Sequence, residues 1–183
     1  LFPAIKLTLL FMLFFMGIYS MVILGIAQLA PNRGHGFMLE VNGNNYYENI
    51  AQPFSEDQYF WSRPSAVHYN AAGSGGSNKG PSNPDYLASV QARIDTFLVH
   101  NPDARKADIP SDMVTASGSG QDPNISVQGA LVQIPRIAKA RNISVDQVKT
   151  LVNQNIEKPL MGLFGTEKIN VLKLNIALNQ FKY

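Results

Sequence analysis

One stretch limits every fold open to this chain. No charged side chain occurs from Leu7 to Ala30, and Lys6 and Arg33 bracket the run. As a helix, those roughly 24 residues reach about 36 Å, more than the roughly 30 Å of a bilayer's hydrocarbon core. A lone segment in lipid must satisfy its own backbone hydrogen bonds, which selects a helix. After Pro31 the chain is polar enough for water. The expected organisation is a short flank over 1–6, a transmembrane helix over 7–30, a connector over 31–36 and one domain over 37–183. A cleaved signal peptide competes, because Gly25-Ile26-Ala27 is a small-x-small tripeptide, but the run is long for a signal core. Lys6 and Arg33 tie in the positive-inside count. The chain opens on Leu1 rather than Met, and any residues ahead of Leu1 could break that tie.

Composition removes several function classes. Fifteen basic and 13 acidic residues leave a net charge of +2 with no Lys/Arg cluster, so nothing points to nucleic acid. There is no cysteine, which removes thiol catalysis, disulfides and thiolate zinc sites together. Ser74, Ser117 and Ser119 sit in Gly-rich loops, but Gly118-Ser119-Gly120 is too short for a Gly-x-Ser-x-Gly elbow. His35, His68 and His100 lack metal-ligand spacing. Asp112 and Asp122 read as solvated or capping acids. The loop Asn70–Asn83 contains glycines and Lys79, yet Asn78 and Gly80 flank that lysine, so the phosphate-binding P-loop pattern fails. No catalytic residue, metal site or confidently bound cofactor is expected.

The domain reads as α+β, with strands mostly N-terminal and helices mostly C-terminal. Phe37–Val41 reads as a strand ended by turn residues Asn42-Gly43-Asn44-Asn45, and Tyr59–Ser62 as a second strand-like run. Asn83-Pro84-Asp85 starts a helix carrying Leu87, Val90, Ile94, Phe97 and Leu98, and Asn101-Pro102 ends it. Ser126 caps a helix with stripe Val127, Ala130, Leu131, Ile134, Ile137 and Ala138, which Pro135 should kink or divide. Ser144-Val145-Asp146-Gln147 is a capping box before a face of Val145, Val148, Leu151, Val152 and Ile156. Lys158–Gly165 is an apolar loop. The final segment fits a strand by alternation and a helix by Val171, Leu174 and Leu178 with Asn170 as cap; the helix is preferred.

Three ordered blocks then carry a family resemblance. They are Tyr59–Ala66 with Tyr69-Asn70; Ser74–Pro84; and Val114–Gly120 through Asp122–Ser126 to Gln133–Arg141. The match resumes at Pro159-Leu160 and Asn170–Asn175. The sequence resembles the C subunit of the bacterial Kdp potassium-transporting ATPase, the KdpC family. Ser62, where the family often has glycine, and Lys173, where an acid is common, depart from its pattern. The resemblance implies a non-catalytic inner-membrane subunit with a cytoplasmic N-terminus and a periplasmic domain. Its implied partners are a channel-like potassium-binding A subunit, a P-type ATPase B subunit that hydrolyses ATP, and a small F peptide. It further implies an assembly role, and a description as a catalytic chaperone raising the B subunit's ATP affinity; ATP enters as a cofactor on that description alone. A membrane-anchored periplasmic enzyme or a free-standing binding module is the alternative.

Two sets of residues are candidates for a partner interface. On the helix, Gly17, Ser20, Leu24 and Gln28 fall in one sector at 100° per residue, and Gly17, Ser20 and Gln28 form a seam of small or weakly polar residues. In the domain, the candidates are Arg63; Ser74, Gly75, Gly76, Ser77, Asn78 and Lys79; and Thr115, Ser117, Ser119 and Asp122. Loops held on a rigid scaffold are where binding surfaces concentrate.

Overall fold

The computed structural model describes residues 1–41 and 43–181. They form two compact units, Leu1–Leu39 and Glu40–Tyr183.

In the first unit, helix α1 (Phe2–Met12), a π-helical stretch (Leu13–Tyr19) and helix α2 (Ser20–Ala27) run on as one helix of 26 residues. None of its residues is buried by protein, although most of its side chains are apolar. It is long and apolar enough to cross a membrane. Pro3 lies in its first turn, where a missing N–H costs nothing. The hydroxyls of Thr8 and Ser20 donate back to Ala4 O and Phe15 O, both at 3.0 Å. Polar groups satisfied along their own helix suit an apolar medium.

Strand β1 (Met38–Val41) pairs with β2 (Asn44–Tyr47). Gly43 takes φ +77° at the turn. Asn44 and Asn45, expected in the turn, are strand residues instead, and Asn42 lies outside the described residues. Helix α3 (Pro84–His100) starts on the Asn83 cap, whose side chain accepts from Tyr86 N–H. Of its expected stripe only Phe97 is buried, and Leu87 is exposed, so α3 covers the core with one end. Two 3₁₀ turns (Lys106–Asp108, Ser111–Met113) lead to strand β3 (Asn124–Ile125).

Pro135 divides rather than kinks its helical stretch. Helix α4 (Val127–Leu131) stops, and α5 (Ile134–Arg141) restarts with the proline in its first turn, where it lacks no intrahelical bond. Helix α6 (Val145–Gln154) carries the expected capping box and buries Val148, Leu151 and Val152, while Val145 is exposed beside the cap. Strand β4 (Ile169–Asn170) pairs antiparallel with β3, and the C-terminal segment is the helix α7 (Val171–Gln180), capped by Asn170. Helix α6 packs against α4, α5 and α7. The core joins Ile134, Ile137, Val148, Val152, Leu174 and Leu178 to Ile125, Ile169, Phe60 and Phe97. The class is α+β, helices mostly C-terminal.

The run Tyr59–Ser62 is not a strand. It is extended, and helix side chains take the place of a neighbouring strand. Asn175 binds both the N–H and the C=O of Phe60, at 2.9 and 3.0 Å, and Gln133 Oε1 accepts from Trp61 N–H at 2.7 Å. Arg136 Nη1 donates to the carbonyls of Asp57 (2.6 Å) and Tyr59 (3.0 Å). Aromatic, strand-like composition was satisfied by burial without a sheet, because buried backbone groups need partners and not strands.

Candidate functional site

The loops singled out from sequence lie together. Arg63 leaves the extended run and reaches the 115–124 loop: its Nη1 is 3.1 Å from Asp122 Oδ2, and its Nε donates to Thr115 O at 3.4 Å. Asp122 also accepts through Oδ1 from the N–H and side-chain amide of Asn124, closing its own turn. Asp112 accepts from the N–H and hydroxyl of Ser126, which steadies the α4 cap. Both acids are therefore engaged in building the loops.

The two glycine-rich segments touch backbone to backbone. Gly75 N–H donates to Ser119 O at 2.9 Å, and Ser74 Oγ donates to the same carbonyl at 3.0 Å. Glycine is required at the crossing. A Cβ on Gly76 would lie 3.0 Å from Gly118 O. Gly120 has φ +69°, and a Cβ there would lie 2.5 Å from Val67 Cγ2 and 2.8 Å from Gly75 O. Ser117 is buried, its N–H donating to Pro64 O. Ser77, Asn78 and Lys79 run on from the crossing and are exposed, with Asn78 in the left-handed region at φ 52°.

Several residues of this surface have no motif to announce them. Ser65 is the hub: its hydroxyl donates to Gly120 O at 2.7 Å and accepts from the N–H groups of Val67 and Tyr69. Tyr69 OH donates to Arg63 O at 2.8 Å. Burial raises the Tyr69 phenol above its ordinary pKa, with Arg93 opposing. Gln121 Nε2 donates to Asn70 O at 2.7 Å, and its Oε1 is buried without a hydrogen-bond partner among the described residues. Ser65 and Tyr69 fall inside the first resemblance block. His68 and Tyr69 both have positive φ, a conformation in which histidine is enriched but tyrosine is not, and no turn motif announces the pair. Beside the surface lies an open polar recess of about 320 Å³ with Arg63, Asp112, Asp122, Thr166 and Lys168 in its lining.

The helix candidates are placed differently. Gly17 lies in the π-helical stretch, where a Cβ would meet only Leu13 of the same helix, at 3.9 Å. Ser20 begins α2 with its hydroxyl engaged on Phe15 O. Gln28 is the residue after the helix, and its Nε2 donates to Arg33 O at 3.3 Å. The π-helical step breaks the uniform 100° phase from which the seam was drawn.

Fold and site define a class: an α+β domain behind one helix able to cross a membrane, presenting a surface of interlocked loops. Comparison gives the family. A family model described as "KdpC: K+-transporting ATPase, c chain" matches residues 1–180. The chain is 56% identical to the "Potassium-transporting ATPase KdpC subunit" of Flavobacterium psychrophilum, covering 99% of this chain and 98% of that protein. The like-named protein of Bacteroides fragilis is 52% identical over 98% and 96%, and that of Geobacter metallireducens 45% identical over 97% and 96%. The chain belongs to the KdpC family.

Proposed function

We propose that this chain is a non-catalytic subunit of a potassium-transporting ATPase, and that it acts by holding the complex together. In this proposal residues 7–30 span the inner membrane with the N-terminus in the cytoplasm. The segment 31–36 connects, and 37–183 form a periplasmic domain. The partners are the channel-like A subunit, the ATP-hydrolysing B subunit and the small F peptide. The supporting observation is the knitting of the 63–83 and 115–124 loops into one preformed surface, on a chain that resembles KdpC subunits end to end. A preformed surface loses little freedom on docking, which favours stable association. Gly17, Ser20 and Gln28 are proposed as a second contact at the helix. Any effect on the B subunit's ATP affinity acts through the assembled complex, because the proposed topology puts this domain across the membrane from cytoplasmic ATP.

Charge reversal at Arg63, Lys79 and Asp122, followed by detergent co-purification and transport assay, tests the surface. At least one reversal should release the subunit or depress uptake. Intact complexes with normal transport in all three variants would remove the loops from the interface. A pull-down of the native chain that brings no large membrane partners would favour an independent enzyme or binding module instead.

A further inference from the structure

The most exposed apolar cluster of the water-facing unit lies at the loop after α6. Leu160, Met161, Leu163 and Phe164 are 70%, 83%, 81% and 65% exposed. They form the apex of a hairpin closed by bridges between Glu157 and Lys168 and between Leu160 and Phe164. Met161, Gly162 and Gly165 have positive φ, which folds the chain into a narrow projection. Clustered exposed side chains of this size mark an interaction site. They contribute nothing to the core of the domain.

We propose that this hairpin inserts its apex into the surface of the bilayer that α1–α2 crosses, as a second, shallow membrane contact. The proposal rests on α1–α2 being a membrane span. Three observations favour lipid over a protein groove. First, four apex N–H groups are paired within the hairpin. Those of Leu160, Gly162, Leu163 and Phe164 donate to carbonyls of Pro159, Leu160 or Phe164, and Pro159 has none to donate. Pairing within the segment lowers the cost of placing this backbone at the lipid headgroup level. Second, Lys158 is exposed beside the apex, placed to meet headgroups while the apolar residues go deeper, and Lys168, 3.7 Å from Glu157, lies beside exposed Glu167 at the base of the hairpin. Third, the segment between α2 and β1 is about ten residues, so its reach is at most about 35 Å. The domain therefore never leaves the neighbourhood of the membrane, and a weak contact is repeatedly offered its surface.

The absence of cysteine makes the test direct. Met161→Cys, Leu163→Cys, Phe15→Cys and Lys149→Cys are labelled with an environment-sensitive fluorophore in the full chain, held in phosphatidylethanolamine–phosphatidylglycerol nanodiscs. Spin-labelled lipid should quench positions 161 and 163 about twofold or more, as it does position 15 in the span, while aqueous iodide quenches position 149. Adding Leu163→Asp to the Met161→Cys chain should abolish the lipid quenching. Iodide quenching at 161 and 163 equal to that at 149, with position 15 in lipid, overturns the insertion alone. Loss of lipid quenching at position 15 as well overturns the span and the insertion together. Protection from both quenchers that occurs only when the other subunits are co-purified assigns the apex to a protein surface and overturns the proposal.

Discussion

Asn175 serves Phe60 as a neighbouring strand would: its Oδ1 accepts the Phe60 N–H at 2.9 Å, and its Nδ2 donates to the Phe60 carbonyl at 3.0 Å. Both residues are essentially closed to solvent. Asn175→Leu keeps the number and branching of the side-chain heavy atoms and removes both bonds, leaving a buried donor and acceptor unpaired. The expected loss is about 2–4 kcal/mol, read as a lower urea midpoint with unchanged slope.

Arg136 holds the same extended run from the other side. Besides the carbonyls of Asp57 and Tyr59, it donates from Nε to Asn101 Oδ1 at 3.0 Å and from Nη2 to Gln133 Oε1 at 2.7 Å. Its guanidinium lies 4.7 Å from the centre of the Trp61 ring. Burial pushes its pKa down to about 10, with Asp57 opposing, so it is charged at neutral pH. A lysine cannot reproduce a planar fork serving acceptors on several sides. Arg136→Lys should lower stability by about 2–4 kcal/mol and increase proteolytic cleavage between Phe54 and Ser62.

Gly120 and Gly73 separate the loop crossing from its surroundings. Gly120→Ala forces a Cβ into Val67 and Gly75 at positive φ, whereas a Cβ on Gly73 meets nothing within 4 Å. Gly120→Ala is expected to cost about 1–3 kcal/mol and to weaken co-purification of partner subunits. Gly73→Ala should stay within about 0.5 kcal/mol of the native chain.

Lys173 donates to Glu48 and to Glu157, joining α7 to two other segments. Burial alone would lower its pKa, but the hydrogen bonds to the two carboxylates outweigh that and hold it above the ordinary 10.5. A base with a raised folded pKa contributes stability that is fully present below its unfolded value. That contribution is lost as pH rises through the folded value. The native chain should therefore exceed Lys173→Met in stability at pH about 8 and lose the margin as pH rises above 10.5. The side chain is 34% exposed, and screening keeps the margin to about 1 kcal/mol or less. A margin that grew with pH would contradict the sign.

Much of the helical scaffold was legible in advance. The Asn83, Ser126, Ser144 and Asn170 caps all form. Pro135 ends one helix and starts the next, and Asn170 with Val171, Leu174 and Leu178 resolves the last segment as helix. Misreadings cluster where a residue's partner is distant. Tyr59–Ser62 has strand composition but receives its hydrogen bonds from helices far along the chain, and Leu87 has helical spacing without anything to pack against. The candidate loop residues were legible as loops, but their crossing was not. Ser65, the hub of that crossing, was read only as part of a matching block.

The amino-acid sequence by itself determined the uncharged 7–30 stretch, the helix caps, the missing thiol chemistry and the family. Each is written in composition, in contiguous matched blocks, or in signals acting within about one helical turn. Only the tertiary structure decided that Arg63 meets Asp122, that Gly75 meets Ser119, and that Asn175 replaces a strand beside Phe60. Those contacts join residues 44 to 115 positions apart. No local period encodes them; they form because packing the core leaves buried backbone groups whose cheapest partners are the ones the fold brings near.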